Sequence, residues 1–381
     1  MIQKTWRKKL NRRIGERVFL EAHKDFVTGN FQRKPMSQYL AQLIAGGVLL
    51  TPFLMIAAGI WIFTLDFPNI LFIILGVVTV ASGWMLIPPR TRNLEKTYNR
   101  EELPALFGFF DTISDALGAV RIDGIRITDE LNGYYYEVGT GQNKERIIGV
   151  GLILWDSLTP AQRISFAAHE VAHQVNADPA RTRLYHMAMF TLEKWFLLLS
   201  PARLIKFEDS AAIGETLFEM AMAIPRFGIE LIWVGMERLS FVSHQRAEYL
   251  ADAMAAGISG VTPATELLEK LSLYPLLQKE LRGLYPNGKQ SGTDVMMQLA
   301  HSITDAPDVA RDGILDTMRK EGISVDATHP PTAFRIAFLS LIEQDEPAVK
   351  PDQVDFSAIE SELAPLREKI GVELLGGMEI Q

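Results

Sequence analysis

The chain has 381 residues, 48% of them apolar, and no cysteine. This length and apolar content allow a sizeable core and exclude disorder throughout. Without cysteine there is no disulfide framework and no thiolate site, so any bound metal must be held by histidines and carboxylates. The net charge is −8, yet residues 1–39 carry ten Lys/Arg against three acids. The acidic remainder excludes a nucleic-acid binder, and the basic start indicates an anionic membrane surface.

Two long uncharged runs follow the basic start. Leu40 to Leu65 is long enough to cross a hydrocarbon core as a helix, and Ile70 to Ile87 has about the minimum length for a second span. Pro68 and Asn69 supply a tight turn between them. The pattern predicts a transmembrane helical hairpin at residues 40–89. The alternative is a hairpin buried in the core of a soluble protein.

The charges that flank this hairpin predict its orientation. Basic residues precede the first run and follow the second, whereas the turn between them carries only Asp66. Because Lys and Arg favour the cytoplasmic side, we expect an integral protein of the inner or plasma membrane, with two spans and with both termini in the cytoplasm. Residues 1–39 form a basic cytoplasmic segment, in which residues 4–25 have the spacing of a helix that lies flat on the bilayer or stays in solvent.

Residues 90–346 have the mixed pattern of one folded domain. A predicted helix and three β-rich runs come first, at Leu103–Leu117, Arg121–Thr128, Gly133–Val138 and Arg146–Leu154. From Thr159 onward nearly every segment has helical spacing. Residues 347–381 are an acidic linker and a C-terminal helix, Ser357 to Lys369. The expected fold class is therefore α+β, mainly α, with a small sheet.

The sharpest motif is HExxH, from His169 to His173, in a predicted helix. Thr159 to Gln162 supply an N-cap, a proline at the first helical position and a capping box. The two histidines are four residues apart, so both imidazoles leave one face of the helix and can hold one zinc ion. Glu170 beside them can take a proton from the attacking water, which is the general-base role in zinc hydrolases.

A catalytic zinc ion needs a third protein ligand, and one downstream helix offers it. Glu248 and Asp252 share a face of the predicted helix that contains them. Glu248 would bind the metal, while Asp252 would accept the free ring N–H of a ligating histidine and fix its orientation. His244 lies on the same face one turn earlier and is the rival third ligand.

These motifs resemble those of a known family, the HtpX-type heat-shock metallopeptidases and CaaX prenyl proteases, which are membrane zinc peptidases of the gluzincin group. The resemblance covers roughly residues 100–340. Residues 169–178 look like the extended HExxHxxNxD helix of the family, and residues 248–252 match its ExxAD element. His329-Pro330-Pro331 followed by Arg335 is similar to its late HPP element.

The resemblance implies a zincin-like fold with one Zn²⁺ per chain and with Glu248 as the third ligand. It implies that His329 reaches toward the tetrahedral intermediate, where oxyanion charge develops. Arg335 and Asp178 would support the ligands, with Arg335 braced against an acid such as Asp252. Taken alone, the His-Pro-Pro run would indicate only a rigid loop that enters a helix.

The sequence also resembles the family at one strand, but it differs from the family in two segments that follow the HExxH motif. Asn132-Gly133 before a β-rich run resembles the Asn-Ala strand element of the family, whose edge would bind an extended peptide substrate. Heat-shock members usually place two further spans between the second histidine and the glutamate ligand. Here residues 184–199 and 211–236 contain charges such as Glu193 and Arg226, which are costly in mid-bilayer. We expect amphipathic helices there, packed on the domain or lying in the interface.

The predicted function is that of a membrane-anchored zinc endopeptidase. By family analogy, its substrates would be misfolded membrane or membrane-proximal proteins, in quality control or processing. One alternative is a dedicated processing protease for a single substrate, such as a lipidated tail. A second is a non-catalytic membrane adaptor or chaperone on a zincin scaffold, against which the retained Glu170 argues. A third is a soluble metallopeptidase that binds the membrane peripherally.

Overall fold

The computed structural model describes residues 2–30, 36–87, 96–139, 144–176, 183–200, 212–284, 290–320, 329–343 and 346–378. This part contains three strands, β1 (Gly124–Thr128), β2 (Gly133–Val138) and β3 (Glu145–Gly151). Its α-helices are α1 (Ile2–Val27), α2 (Met36–Leu65), α3 (Ile70–Leu86), α4 (Pro104–Leu117), α5 (Leu152–Ser157), α6 (Pro160–Val175), α7 (Arg183–Leu198), α8 (Ala212–Ser259), α9 (Val261–Leu271), α10 (Tyr274–Gly283), α11 (Gly292–Thr304), α12 (Asp308–Arg319), α13 (Thr332–Leu339) and α14 (Phe356–Met378). The expected class, α+β and mainly α, is confirmed.

The chain divides into two compact units, each built from segments that are distant in sequence. Unit 1 comprises residues 1–33, 94–178 and 244–381, and unit 2 comprises residues 34–93 and 179–243. Helix α8 contributes residues to both, with those from His244 onward in unit 1. The described residues that were predicted to bind metal or to act in catalysis all belong to unit 1.

The sheet of unit 1 has the strand order β1-β3-β2, with β1 parallel and β2 antiparallel to β3. The run predicted as a strand up to Leu154 ends earlier, because β3 stops at Gly151 and α5 begins at Leu152. A Cβ at Gly151 would overlap the carbonyl oxygens of Glu130 and Asn132, in the loop between β1 and β2, so only glycine fits there. The sequence did not predict this change from strand to helix, because a short apolar run is compatible with either a buried strand or a buried helix.

Large apolar side chains fill the core between this sheet and the helices of unit 1. Fully buried examples are Phe107, Phe110, Ile148, Trp155 and Val171. Helix α14 packs on α4 and α11 and continues past Pro365 to Met378, which is beyond the predicted end at Lys369. Arg367 fastens α14 to this core by donating to Asp156 at 2.6 and 2.7 Å.

In unit 2, α2 and α3 pack along each other through glycines. A Cβ at Gly59 would lie 2.8 Å from the carbonyl oxygen of Gly76, and a Cβ at Gly83 would lie 2.8 Å from that of Pro52. Helix α7 packs on α2, and the buried side chains of this contact are Ala45, Val48, Ala188, Leu192 and Trp195. Helix α7, which we expected to pack on the domain or to lie in the membrane interface, thus packs on the first apolar helix.

Among the described residues, one helix is long and apolar enough to cross a membrane. It is α2, with 30 residues, and only 17% of its most apolar stretch is buried. Helix α3 has 17 residues, a length of about 25 Å, which is shorter than a hydrocarbon core of about 30 Å. The prediction of two membrane spans is therefore not supported. The helix begins where the predicted run does, after Asn69, whose side chain accepts from the Leu71 N–H, and it ends one residue before Ile87.

Candidate metal centre

Helix α6 carries the HExxH motif and is fixed at its start by a capping box. The backbone N–H of Thr159 donates to Gln162 Oε1 at 3.0 Å, and Thr159 Oγ1 accepts from the N–H of Gln162. The predicted cap is thus confirmed. His169 and His173 leave one face of this helix, and their Nε2 atoms lie 3.2 Å apart. Local sequence alone therefore accounts for two adjacent imidazoles.

Glu248 of α8 meets these two imidazoles. Its side chain is fully buried, with Oε1 at 3.3 Å from His173 Nε2 and Oε2 at 3.6 Å from His169 Nε2. One ligand atom from each of the three residues falls in a group no wider than 4.8 Å. His173 and Glu248 are 75 residues apart in the sequence, yet their side chains meet at one point.

The three groups fit tetrahedral metal coordination. Ligand atoms that lie about 2.0–2.1 Å from a zinc ion at tetrahedral angles are about 3.3 Å from one another. The two imidazole Nε2 atoms are 3.2 Å apart, and each has a different oxygen of Glu248 near it, Oε1 at 3.3 Å from His173 and Oε2 at 3.6 Å from His169. Two imidazoles and one carboxylate are also a donor set that leaves a position open in catalytic zinc sites. The cluster can therefore hold a divalent metal ion.

Asp252 and Arg335 support the cluster. Asp252 Oδ1 lies 3.1 Å from His169 Nδ1, the ring nitrogen on the far side from Glu248. Arg335 donates to both oxygens of Asp252, at 2.7 Å from Nε and 2.6 Å from Nη2, and its Nη2 is also 3.3 Å from Glu248 Oε2. A carboxylate at Nδ1 fixes the tautomer, so that Nε2 of His169 is free to bind a metal.

The buried charges of the cluster shift one another's pKa values. Burial would raise the pKa of Glu248, but the charges of His329 and Arg335 hold it well below its ordinary value. Burial would lower the pKa of Arg335, but Asp252 and Glu248 raise it above the usual range. Burial also opposes protonation of His169, and hydrogen bonds with Asp252 and Glu248 outweigh it and raise this pKa to about 9. Metal binding would therefore displace a proton from the cluster.

Two further histidines lie next to Glu248. His329 Nδ1 is 3.2 Å from Glu248 Oε2, and its side chain is 55% exposed, three residues before α13. His244, the rival third ligand, is buried, with Nε2 at 3.4 Å from Glu248 Oε1. The two candidates for the third ligand thus lie next to each other, and Glu248 lies within 3.6 Å of both His169 and His173.

Glu170 is buried in α6 immediately after His169. Its negative charge is one of those that raise the pKa of Arg335, so it lies within electrostatic reach of the cluster. Asp178, the last residue of the extended motif, lies outside the described residues.

Asn132 and Gly133 lie where β2 begins, and β2 is at an edge of the sheet. A Cβ at Gly133 would overlap the ring of Phe166 in α6. Glycine therefore lets the edge strand approach the helix one turn before His169, which positions β2 beside the motif.

The sequence pattern of α1 did not predict where this helix packs. Arg246, two residues before Glu248, donates to Asp25 Oδ2 at 2.7 and 2.9 Å, and both side chains are buried. The ring of Phe19 meets Tyr249 and Phe338 edge-on, at 5.4 and 5.7 Å between centroids. Helix α1 thus braces the helices that carry Glu248 and Arg335. A signal was present in the helical spacing of the buried positions, Asn11, Val18, Ala22 and Asp25.

No protein-family model, curated protein or solved structure matches this chain. The resemblance to the HtpX-type peptidases therefore rests on the quoted motifs.

Proposed function

We propose that the chain is a membrane-anchored zinc endopeptidase of the zincin type. The observation that carries this proposal is the meeting of His169, His173 and Glu248 at separations that suit tetrahedral zinc. A structural metal site needs no base beside its ligands, and the acidic residue of the motif is retained as Glu170. The arrangement therefore favours hydrolysis over a purely structural role for the metal.

Bound zinc would supply a Lewis acid that polarises a carbonyl group and lowers the pKa of water. The residues of the chain perform the other steps. The carboxylate of Glu170 takes a proton from the attacking water and returns it to the nitrogen of the leaving amine. Asp252 holds the His169 ring by its Nδ1, which keeps Nε2 directed at the ligand position throughout.

His329 is the group best placed to meet the charge that develops on the substrate oxygen. It contacts Glu248 yet is 55% exposed, so one side of the ring is open to a bound peptide. A donor at such a position stabilises an oxyanion. Arg335 has a different role, because its Nε and Nη2 atoms are already engaged by the buried carboxylates of Asp252 and Glu248. We assign it to holding Asp252 and Glu248 in place.

The proposed substrates are unfolded segments of membrane or membrane-proximal proteins. An extended segment would add at the β2 side of the described sheet, where Asn132 and Gly133 begin the strand. Folded proteins offer few such segments, so recognition by a strand edge favours misfolded chains.

We place α2 in the membrane as the anchor, with α3 packed along it. Large apolar side chains are exposed on both helices, including Phe53, Trp61, Leu71 and Trp84. An exposed apolar surface of this kind indicates contact with lipid. Anchoring with both termini in the cytoplasm requires that the short α3 also crosses, by local thinning of the bilayer. Resistance of the protein to carbonate extraction tests the anchor, and release into the supernatant would contradict it.

The test of the activity is the Glu170→Gln variant of the full chain in detergent micelles. We expect cleavage of fluorescein-labelled casein to fall by about 10²–10⁴-fold, because the general base is lost. Zinc content should stay at that of the parent protein, since no metal ligand changes. The exposed Glu343 serves as a control, and Glu343→Gln should cleave at the parent rate.

Equal cleavage by the Glu170→Gln and parent proteins would contradict a Glu170-dependent peptidase. A parent protein that binds zinc but cleaves no unfolded substrate would favour the adaptor alternative. If the proposal holds, the same variant recovered from cells should retain uncleaved substrate proteins, which identifies them.

A further inference from the structure

A second group of metal-binding atoms lies on the same glutamate. His244 Nε2, a carboxylate oxygen of Glu248 and a ring nitrogen of His329 fall in a group no wider than 4.8 Å. The two imidazoles lie 3.4 and 3.2 Å from the glutamate oxygens, and their ring centroids are 5.1 Å apart. Four histidines therefore surround the carboxylate of Glu248. His169 and His173 belong to the first group, and His244 and His329 belong to the second.

This group repeats the donor set of the first one. Both consist of two imidazoles and one carboxylate, which suits zinc and similar divalent ions. A carboxylate has two oxygens and can bridge two ions about 3.5–4 Å apart. The exposed ring of His329 leaves the second group open to ions from solution, whereas His173 in the first group is buried.

We propose that His244, His329 and Glu248 form a second, weaker site for a divalent cation such as Zn²⁺, and that filling this site inhibits the peptidase. Binding at the second site follows from the geometry alone, whereas inhibition rests on the proposed function. An ion at this position takes His329 away from the substrate oxygen and shares Glu248 with the first ion. Catalysis therefore declines as the second site fills.

Two features make the second site the weaker one. The first ion is already bound to Glu248, so this ion repels a second positive ion. Arg335 repels it as well, because its Nη2 is 3.3 Å from the same carboxylate. The first site also has its His169 ring held by Asp252, and such support is worth about 10–100-fold in metal affinity. We expect the second ion to bind at about 10–100-fold higher free zinc than the first.

The test is equilibrium dialysis of the full chain in detergent against buffered free zinc, with the metal counted by mass spectrometry. We expect one ion per chain at low free zinc and a second at higher free zinc. His244→Gln should keep the first step and lose the second, which also shows that the variant is folded. His329→Gln should behave in the same way. The exposed His301 gives the matched control, and His301→Gln should show both steps.

Cleavage of labelled casein is measured on the same samples. The parent protein should reach its highest rate as the first ion binds and then lose activity as the second binds. In His244→Gln, the rate at excess zinc divided by that variant's own highest rate should return to about one. If this ratio falls as far as in the parent protein, inhibition through the second site is wrong.

The outcomes separate the two proposals. One ion per chain at every zinc concentration, together with Glu170-dependent cleavage, overturns the second site and leaves the proposed function standing. A second step that survives in both His244→Gln and His329→Gln assigns the second ion elsewhere and overturns the inference. A chain that binds no zinc at all overturns the proposed function and the second site together.

Discussion

The metal-site cluster of unit 1 and the α2–α3 pair of unit 2 bury opposite kinds of side chain. In the cluster, Glu248, Asp252 and Arg335 are buried, and each is held by opposite charges within 3.3 Å. In the helix pair, small residues such as Gly76 and Gly83 are buried and large apolar side chains face outward. A buried charge is stable only when it is paired, whereas an exposed apolar face is stable only against an apolar surrounding. This contrast is what our proposal of a membrane anchor at α2 requires.

The largest effect should come from breaking the charge pairing in unit 1. Arg335→Met leaves the carboxylates of Asp252 and Glu248 buried without their cation, so we expect a loss of about 3–5 kcal/mol in the free energy of unfolding. Denaturant titration in detergent, followed by tryptophan fluorescence, measures it. Arg319→Met is the control, because its pair with Asp316 is more than 60% exposed on both sides and should contribute about 0–0.5 kcal/mol. Similar losses in the two variants would contradict the importance of burial.

A smaller effect should come from overfilling the contact in unit 2. A leucine at Gly59 would push against the backbone of α3, so Gly59→Leu should cost about 1–3 kcal/mol of stability. The matched control is Gly46→Leu in the same helix, where a Cβ has no atom within 4 Å. Thermal unfolding in one detergent compares the two proteins. If Gly46→Leu lowers the Tm as much as Gly59→Leu does, glycine packing does not hold α2 and α3 together.

The smallest effect should come from a partly exposed carboxylate of unit 1, and it should depend on pH. Glu368 accepts from the backbone N–H groups of Thr293 and Gly292 at the start of α11, which lowers its pKa below the ordinary 4.5. A carboxyl group with a depressed pKa stabilises the fold above that ordinary value, and this contribution is lost as pH falls through the folded pKa. Glu368→Gln should therefore lower the Tm slightly at pH 7, with the difference shrinking toward pH 3.

Melting curves of the parent, Glu368→Gln and the exposed control Glu373→Gln across this pH range check the expectation. A difference between parent and Glu368→Gln that stays constant from pH 7 to pH 3 would show that the charge has no part in it.

Local signals in the sequence predicted the elements that carry the site. The capping residues before α6 fixed its start at Pro160, and a short β-rich run predicted β2 at Gly133–Val138. The four-residue spacing on α8 put Glu248 and Asp252 on one face. Such signals are readable because they lie within one turn or one strand of the residues they affect.

Contacts between distant segments could not be predicted in this way. The ion pair between Asp25 and Arg246 joins residues that are 221 positions apart. A helix rich in Lys and Arg, such as α1, is expected to face solvent or lipid, so its sequence did not predict that one of its carboxylates is buried. Helix α7 packs on α2, although its charges resembled those of a surface helix. Glu248 was identifiable as a candidate ligand, but the four imidazoles around it come from three segments that are distant in sequence.

X-ray absorption at the zinc edge, on the full chain loaded with one equivalent of zinc, most directly tests whether His169, His173 and Glu248 bind one ion. The spectrum should show two imidazole nitrogens at about 2.0–2.1 Å and a carboxylate oxygen at about 2.0–2.2 Å. The imidazole signal should weaken in His169→Gln and stay unchanged in His301→Gln. A zinc ion without imidazole ligands, or a spectrum that His169→Gln leaves unaltered, would show that these residues do not form the metal site.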